Sequence, residues 1–151
     1  MHLASDVIER LNSLLRVELA AVAGYQKALG VLRKKAESDG DHILRRASDH
    51  QRTVTALHGS VHARGGVPVA SAAPWEGSGV SALTGNGSSL TLSNREFVVA
   101  LLEAERRGLA QYEASLASLD DDARELVVLE LIPRQQRHVE ALTAMLSNLA
   151  A

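Results

Sequence analysis

The sequence predicts an all-α protein, a four-helix bundle made of two antiparallel hairpins joined by one long crossover. Three observations carry this. Apolar residues recur with helical period in four long segments. A glycine- and serine-rich stretch separates the second segment from the third. A glutamate stands two helical turns before a tyrosine in both the first and the third segment, Glu18 with Tyr25 and Glu105 with Tyr112. With 151 residues, 46% of them hydrophobic, the chain suffices for a single domain with its own core.

The first helix is expected over residues 6–36, with Ser5 as N-cap and Asp6 and Glu9 in the first turn. Its apolar face reads Leu11, Leu15, Glu18, Val22, Tyr25, Leu29 and Leu32. Residues 37–41 form a short turn, so the second helix, 42–64, lies antiparallel to the first. Its core stripe is Ile43, Ala47, His50, Val54, Leu57 and Val61, and Gly65 and Gly66 end it. Residues 65–93 form the crossover, whose one charged residue is Glu76 and which Trp75 pins to the bundle. A capping box, Ser93 with Glu96, starts the third helix, 94–119. Asp120 to Asp122 cap the fourth, 121–149, in which Pro133 is expected to make a kink just before Gln135 and His138.

Glu18 and Glu105 thus occupy positions where a core leucine belongs. A buried carboxylate without a partner is costly, so it must be paired, protonated or bound to a metal. The segment from His50 to Leu57 also aligns without gaps to that from Gln135 to Leu142, sharing Gln, Arg, Val, Ala and Leu. The two hairpins therefore read as an internal repeat, in which Glu18 matches Glu105, Tyr25 matches Tyr112, His50 matches Gln135 and Thr53 matches His138. Polar side chains from four helices converge on one interior layer. Arg52 and Arg137 also correspond but fall on the opposite side of their helices, facing solvent.

On these residues, the paired hairpins and the long crossover, the chain resembles the ferritin-like superfamily. It is most similar to the bacterial ferritin-like proteins of uncharacterised function (DUF2383 type), with a degenerate di-iron motif. That family's pattern is one Glu from each of two helices and Glu-x-x-His from each of the other two. Glu18 and Glu105 match the single glutamates; Gln135-x-x-His138 keeps the histidine, and His50-x-x-Thr53 keeps neither residue. Two glutamates and two histidines remain, with Gln135 and Thr53 as weak oxygen donors. Such a set suits one divalent ion, iron ahead of manganese or zinc, better than two. Tyr25 and Tyr112 are expected to hydrogen-bond around the ligands. The resemblance implies redox chemistry on iron, dioxygen or peroxide.

The alternative is a non-enzymatic bundle whose site is vestigial and which acts through self-association or partner binding. Its hairpins could exchange between chains in a homodimer. The net charge of −2 with dispersed basic residues argues against nucleic acid. No segment has transmembrane length and the N-terminus lacks a signal-like apolar run, so a cytoplasmic protein is expected. The absence of cysteine excludes disulfides and thiolate ligands. His58 and His62, one turn apart on the second helix, are expected on a solvated face.

Overall fold

The computed structural model describes residues 2–32, 37–72 and 94–149. Helix α1 spans His2–Leu32 and packs along α2, Glu37–Ala63. Helix α3, Asn94–Ser115, continues into a 3-10 turn, Leu116–Ser118, and packs along α4. Helix α4 has three successive parts: α-helical Asp121–Leu126, π-helical Val127–Leu131 and α-helical Ile132–Asn148. No strand occurs among the described residues. The fold is the expected all-α bundle of two hairpins.

Two boundaries differ from expectation. Helix α1 begins a turn before Ser5, which is exposed within it, because residues 2–4 contain neither glycine nor proline to stop the helix. Residues 37–41, expected as a turn, are the first turn of α2. Of these five residues only Gly40 carries a strong helix penalty, about 1 kcal/mol, which does not stop the helix. Trp75, Ser93 and most of the expected crossover lie outside the described residues.

Proline shapes α4 through its helical register. The buried residues Ala123, Val127, Leu131 and Gln135 are each four apart. On a regular α-helix each such step overshoots a full turn by about 40°, so the stripe would drift by roughly 120°. The π turn takes in one extra residue, about 100° of rotation, and brings the stripe back. Its signature is the Ile132 N–H bonded to the Val127 carbonyl, five residues back. Pro133 has no N–H and its ring crowds the preceding turn, so the wide turn falls where an α ladder would break anyway. Without this adjustment Gln135 and His138 would rotate away from the core.

On each helix the buried apolar residues fall into two groups with a polar residue at the changeover. One cluster contains Tyr25, Leu29, Ile43, Phe97, Leu101 and Leu142. The other contains Leu11, Leu15, Leu57, Val61, Val127 and Leu131. Each fully buried side chain of this size contributes about 1.5–3 kcal/mol. Glu18, His50, Glu105 and the pair Gln135 and His138 stand between the clusters along their helices.

At one end the hairpins are tied together. Helix α2 closes with Gly66 N–H bonded to Val61 O and Gly65 N–H to His62 O, Gly65 at φ +78°. A Cβ on Gly66 would lie 2.7 Å from Ile8 Cγ2, so only glycine lets the chain pass α1 here. Asn12 then holds the start of the crossover, its side chain donating to Val67 O and accepting from Val69 N–H. Arg64 donates to both oxygens of Asp120, at 2.9 and 2.7 Å, while Asp120 caps α4 by accepting from Ala123 N–H. The bond to Arg64 holds the Asp120 carboxyl below its ordinary range. Its stabilisation is present above the unfolded carboxylate pKa and is lost as pH falls through the folded value. Replacing Asp120 by Ala should cost about 1 kcal/mol at neutral pH. Urea titrations should show that cost shrinking on acidification; a pH-independent cost would contradict it.

Candidate metal centre

Glu18, His50, Thr53, Glu105, Gln135 and His138 are each 3% exposed or less. Helix α1 supplies Glu18, α2 supplies His50 and Thr53, α3 supplies Glu105, and α4 supplies Gln135 and His138. All six lie in the interior, but they do not all point at one place.

His50 is the bridge of the layer. Its Nδ1 is 2.5 Å from Glu18 Oε2 and its Nε2 is 2.7 Å from Glu105 Oε1. Carboxylates can only accept, so His50 donates from both nitrogens and is an imidazolium. Burial alone would lower its pKa, but Glu105 and Glu18 outweigh burial and raise it well above 6.5. Burial likewise opposes ionisation of Glu105, yet His50 and His138 outweigh it and hold this carboxyl at about 2.

His138 sits between two carboxylates as well. Its Nε2 is 3.1 Å from Asp49 Oδ2, and its Nδ1 is 2.7 Å from Glu105 Oε2. The second contact is close enough for charges to attract but is misaligned for a hydrogen bond. Both atoms are fully buried, and neither has an aligned hydrogen-bond partner among the described residues. Asp49 holds the other ring nitrogen, so Nδ1 is the atom turned toward the Glu105 oxygen. Two such facing donors suit a cation placed against both of them. The donor atoms of His50, Glu105 and His138 all lie within 4.8 Å of one another, close enough to share one ion. On this chemistry the residues present fit a divalent metal.

The remaining polar groups orient this set. Tyr112 donates to Glu18 Oε1 at 2.5 Å, so both Glu18 oxygens are engaged. Tyr25 is buried beside Glu105 with its ring centroid 5.1 Å from that of His50. Each tyrosine thus serves the glutamate of the other hairpin, and burial, followed by the facing carboxylate, raises both pKa values well above 10.0. Gln135 donates from Nε2 to the Glu105 backbone carbonyl at 2.8 Å. Gly108 makes the approach possible, since a Cβ there would stand 2.9 Å from that nitrogen. Thr53 donates to Asp49 O at 3.2 Å and accepts from Arg134 Nη1 at 2.9 Å. Thr53 Oγ1 is thus engaged on both sides and Gln135 through its amide nitrogen, and Glu18 reaches the cluster through His50.

Asp49, Arg134 and Gly108 are functional neighbours that pattern reading passes over. Asp49 lies one position off the core stripe and is 29% exposed at its side chain. Its adjacency to His50 was the available signal. Arg52 and Arg137 are exposed, as are His58 and His62.

No family model matches the chain, and no curated protein matches it in sequence. Among solved structures it is similar to a ferritin-like diiron-carboxylate protein from Bacillus anthracis str. Ames, with TM-score 0.74 and 18% identity over 97% of this chain and 99% of that one. It is also similar to Rhodobacter capsulatus bacterioferritin, described with a metal-free dinuclear site and haem iron, with TM-score 0.77 and 19% identity over 95% of this chain and 84% of that one. The chain has the ferritin-like fold.

The ion layer makes two predictions. Removing one member of a buried ion set leaves the others uncompensated, so Glu105→Leu should lose about 3–5 kcal/mol of stability. The triple replacement of Glu18, His50 and Glu105 by leucine should recover most of it in urea denaturation. A triple variant as unstable as the single one would contradict the charge argument. For metal-free protein, the His50 contribution is complete below 6.5 and is lost as pH rises toward its raised pKa. The Glu105 contribution is complete above 4.5 and is lost as pH falls toward about 2. Thermal midpoints should therefore peak between those two ordinary values; a maximum above pH 8 would contradict the assignment.

Proposed function

We propose that this protein is a ferritin-like metal-binding protein that holds one divalent cation in its bundle core, between His50 Nε2, Glu105 and His138 Nδ1. The observation that carries this is the pair of buried atoms, Glu105 Oε2 and His138 Nδ1, facing each other at 2.7 Å without a hydrogen bond. Each imidazole is backed by a carboxylate on its other nitrogen, Glu18 behind His50 and Asp49 behind His138. Carboxylate backing of this kind fixes the tautomer and ring orientation of metal-bound histidines.

The charges also fit. A divalent ion with two neutral imidazoles, Glu105 and Glu18 forms a neutral layer, which is the condition for burying it cheaply. Gln135 and Thr53 act as positioning residues in this reading, Tyr112 anchors Glu18, and Tyr25 closes the side of Glu105. Two imidazoles and one carboxylate with open positions form the donor set of mononuclear iron sites and also of zinc sites, and iron is favoured here by the similar structures. Iron held there would supply redox chemistry toward a small substrate such as dioxygen or peroxide. The two similar structures, described respectively as a diiron-carboxylate protein and as a bacterioferritin, support an iron-type ligand for this fold.

The test is metal content after stripping and anaerobic refilling with Fe(II), Mn(II) or Zn(II). The expected result is one ion per chain, lost in Glu105→Gln and in His138→Ala. Binding should also raise the thermal midpoint, by about 2.7 kcal/mol of added stability at a hundredfold excess over Kd. A folded protein that takes up none of the three metals would overturn the proposal and leave the non-enzymatic bundle.

A further inference from the structure

The layer has two ends, and they carry opposite charges. Extending the repeat by one residue, Asp49 before His50 corresponds to Arg134 before Gln135. The structure pairs these residues reciprocally with the equivalent positions of the other hairpin. Asp49 on α2 contacts His138 on α4 at 3.1 Å. Arg134 on α4 contacts Thr53 on α2 at 2.9 Å. One end therefore has an imidazole backed by a carboxylate, and the other has a hydroxyl backed by a guanidinium.

The hydrogen bonding follows the same division. At the His138 end, Glu105 Oε2 and His138 Nδ1 are buried 2.7 Å apart, with no aligned hydrogen-bond partner among the described residues. At the Thr53 end every group named is engaged: Glu18 by Tyr112 and His50, and Thr53 by Asp49 O and Arg134. Arg134 is half-buried, and its charge acts on the Tyr112 hydroxyl that holds Glu18. A fixed cation thus stands beside the Glu18 half of the layer.

The geometry points to Arg134 as the residue that sets metal stoichiometry: its guanidinium serves as a built-in cation at the Thr53 end, so that the layer admits one metal ion and excludes a second. This rests on the metal-binding reading above. A second divalent ion at the Thr53 end would meet a like charge and a hydroxyl already committed to accepting from it. Thr53 offers no imidazole, and Glu18 has no unengaged oxygen. Arg134 is a specificity-determining residue here and touches neither metal nor substrate.

Zinc(II) stoichiometry and affinity test this, since Zn(II) has no redox chemistry to complicate counting. The wild-type chain and Thr53→His should each bind one Zn(II). The double variant Thr53→His with Arg134→Asp, which copies the Asp49–His138 pair onto the other end, should bind two. Two ions in Thr53→His alone, or one in the folded double variant, would overturn the inference. The neutral replacement Arg134→Gln covers the case in which the double variant fails to fold. Removing a nearby like charge should tighten the single Zn(II) by roughly tenfold; unchanged or weaker binding would overturn it. Absence of zinc from the wild-type chain would instead count against the metal reading itself, so the two failures are distinguishable.

Discussion

None of the four helices can bury its polar residue alone. Removing an ionised carboxylate or imidazolium from water costs several kcal/mol even after relaxation. The cost is offset only when Glu18, His50 and Glu105 arrive together, with the two glutamates 2.5 and 2.7 Å from the His50 ring nitrogens. A one-turn slip of any helix would separate them and drive a charge into one of the flanking apolar clusters. The layer therefore specifies register between α1, α2 and α3, whatever it contributes to net stability. The apolar clusters hold the helices together, and the layer determines which of several similar packings they adopt.

The same compensation balances the charges of the layer without a metal. In the metal-free protein His50 supplies the positive charge between the two glutamates. Metal ligands must be deprotonated to bind. A metal at this site would therefore compete with the proton that His50 holds, and the two cations would perform the same electrostatic task. What the imidazolium leaves undone is the contact between Glu105 Oε2 and His138 Nδ1. There the structure keeps two buried ligand atoms 2.7 Å apart outside any aligned hydrogen bond, held in place by Asp49 on one side and by the Glu105 helix, braced by Gln135, on the other.

Much of this was legible in the sequence because helical period and burial are strongly coupled. Glutamates on leucine positions announce an interior layer, and the spacing to Tyr25 and Tyr112 keeps the tyrosines on the same faces. The crosswise pairing of Tyr112 with Glu18 was not legible, because it depends on how α1 and α3 lie side by side. Asp49 lies one position off its stripe, so the helical period gives no signal for it. Arg134 was harder still. Its direction follows from a π turn that cancels the drift of a four-residue spacing, and a reading that places Pro133 in a simple kink cannot supply that rotation. Gln135 and Thr53 occupy the expected layer, but their hydrogen bonds run to a backbone carbonyl and a guanidinium. Residue type and spacing do not reveal such commitments.

The most direct measurement is anomalous diffraction from crystals of the protein loaded with Mn(II) or Zn(II), recorded at the absorption edge of the metal. The account predicts one interior peak per chain, within coordinating distance of Glu105 Oε2 and His138 Nδ1 and on the His138 side of the layer. Asp49 should remain bonded to His138 Nε2, and Arg134 to Thr53. Two interior peaks, a peak between Glu18 and Thr53, or a well-ordered layer with no interior peak at saturating metal would contradict it.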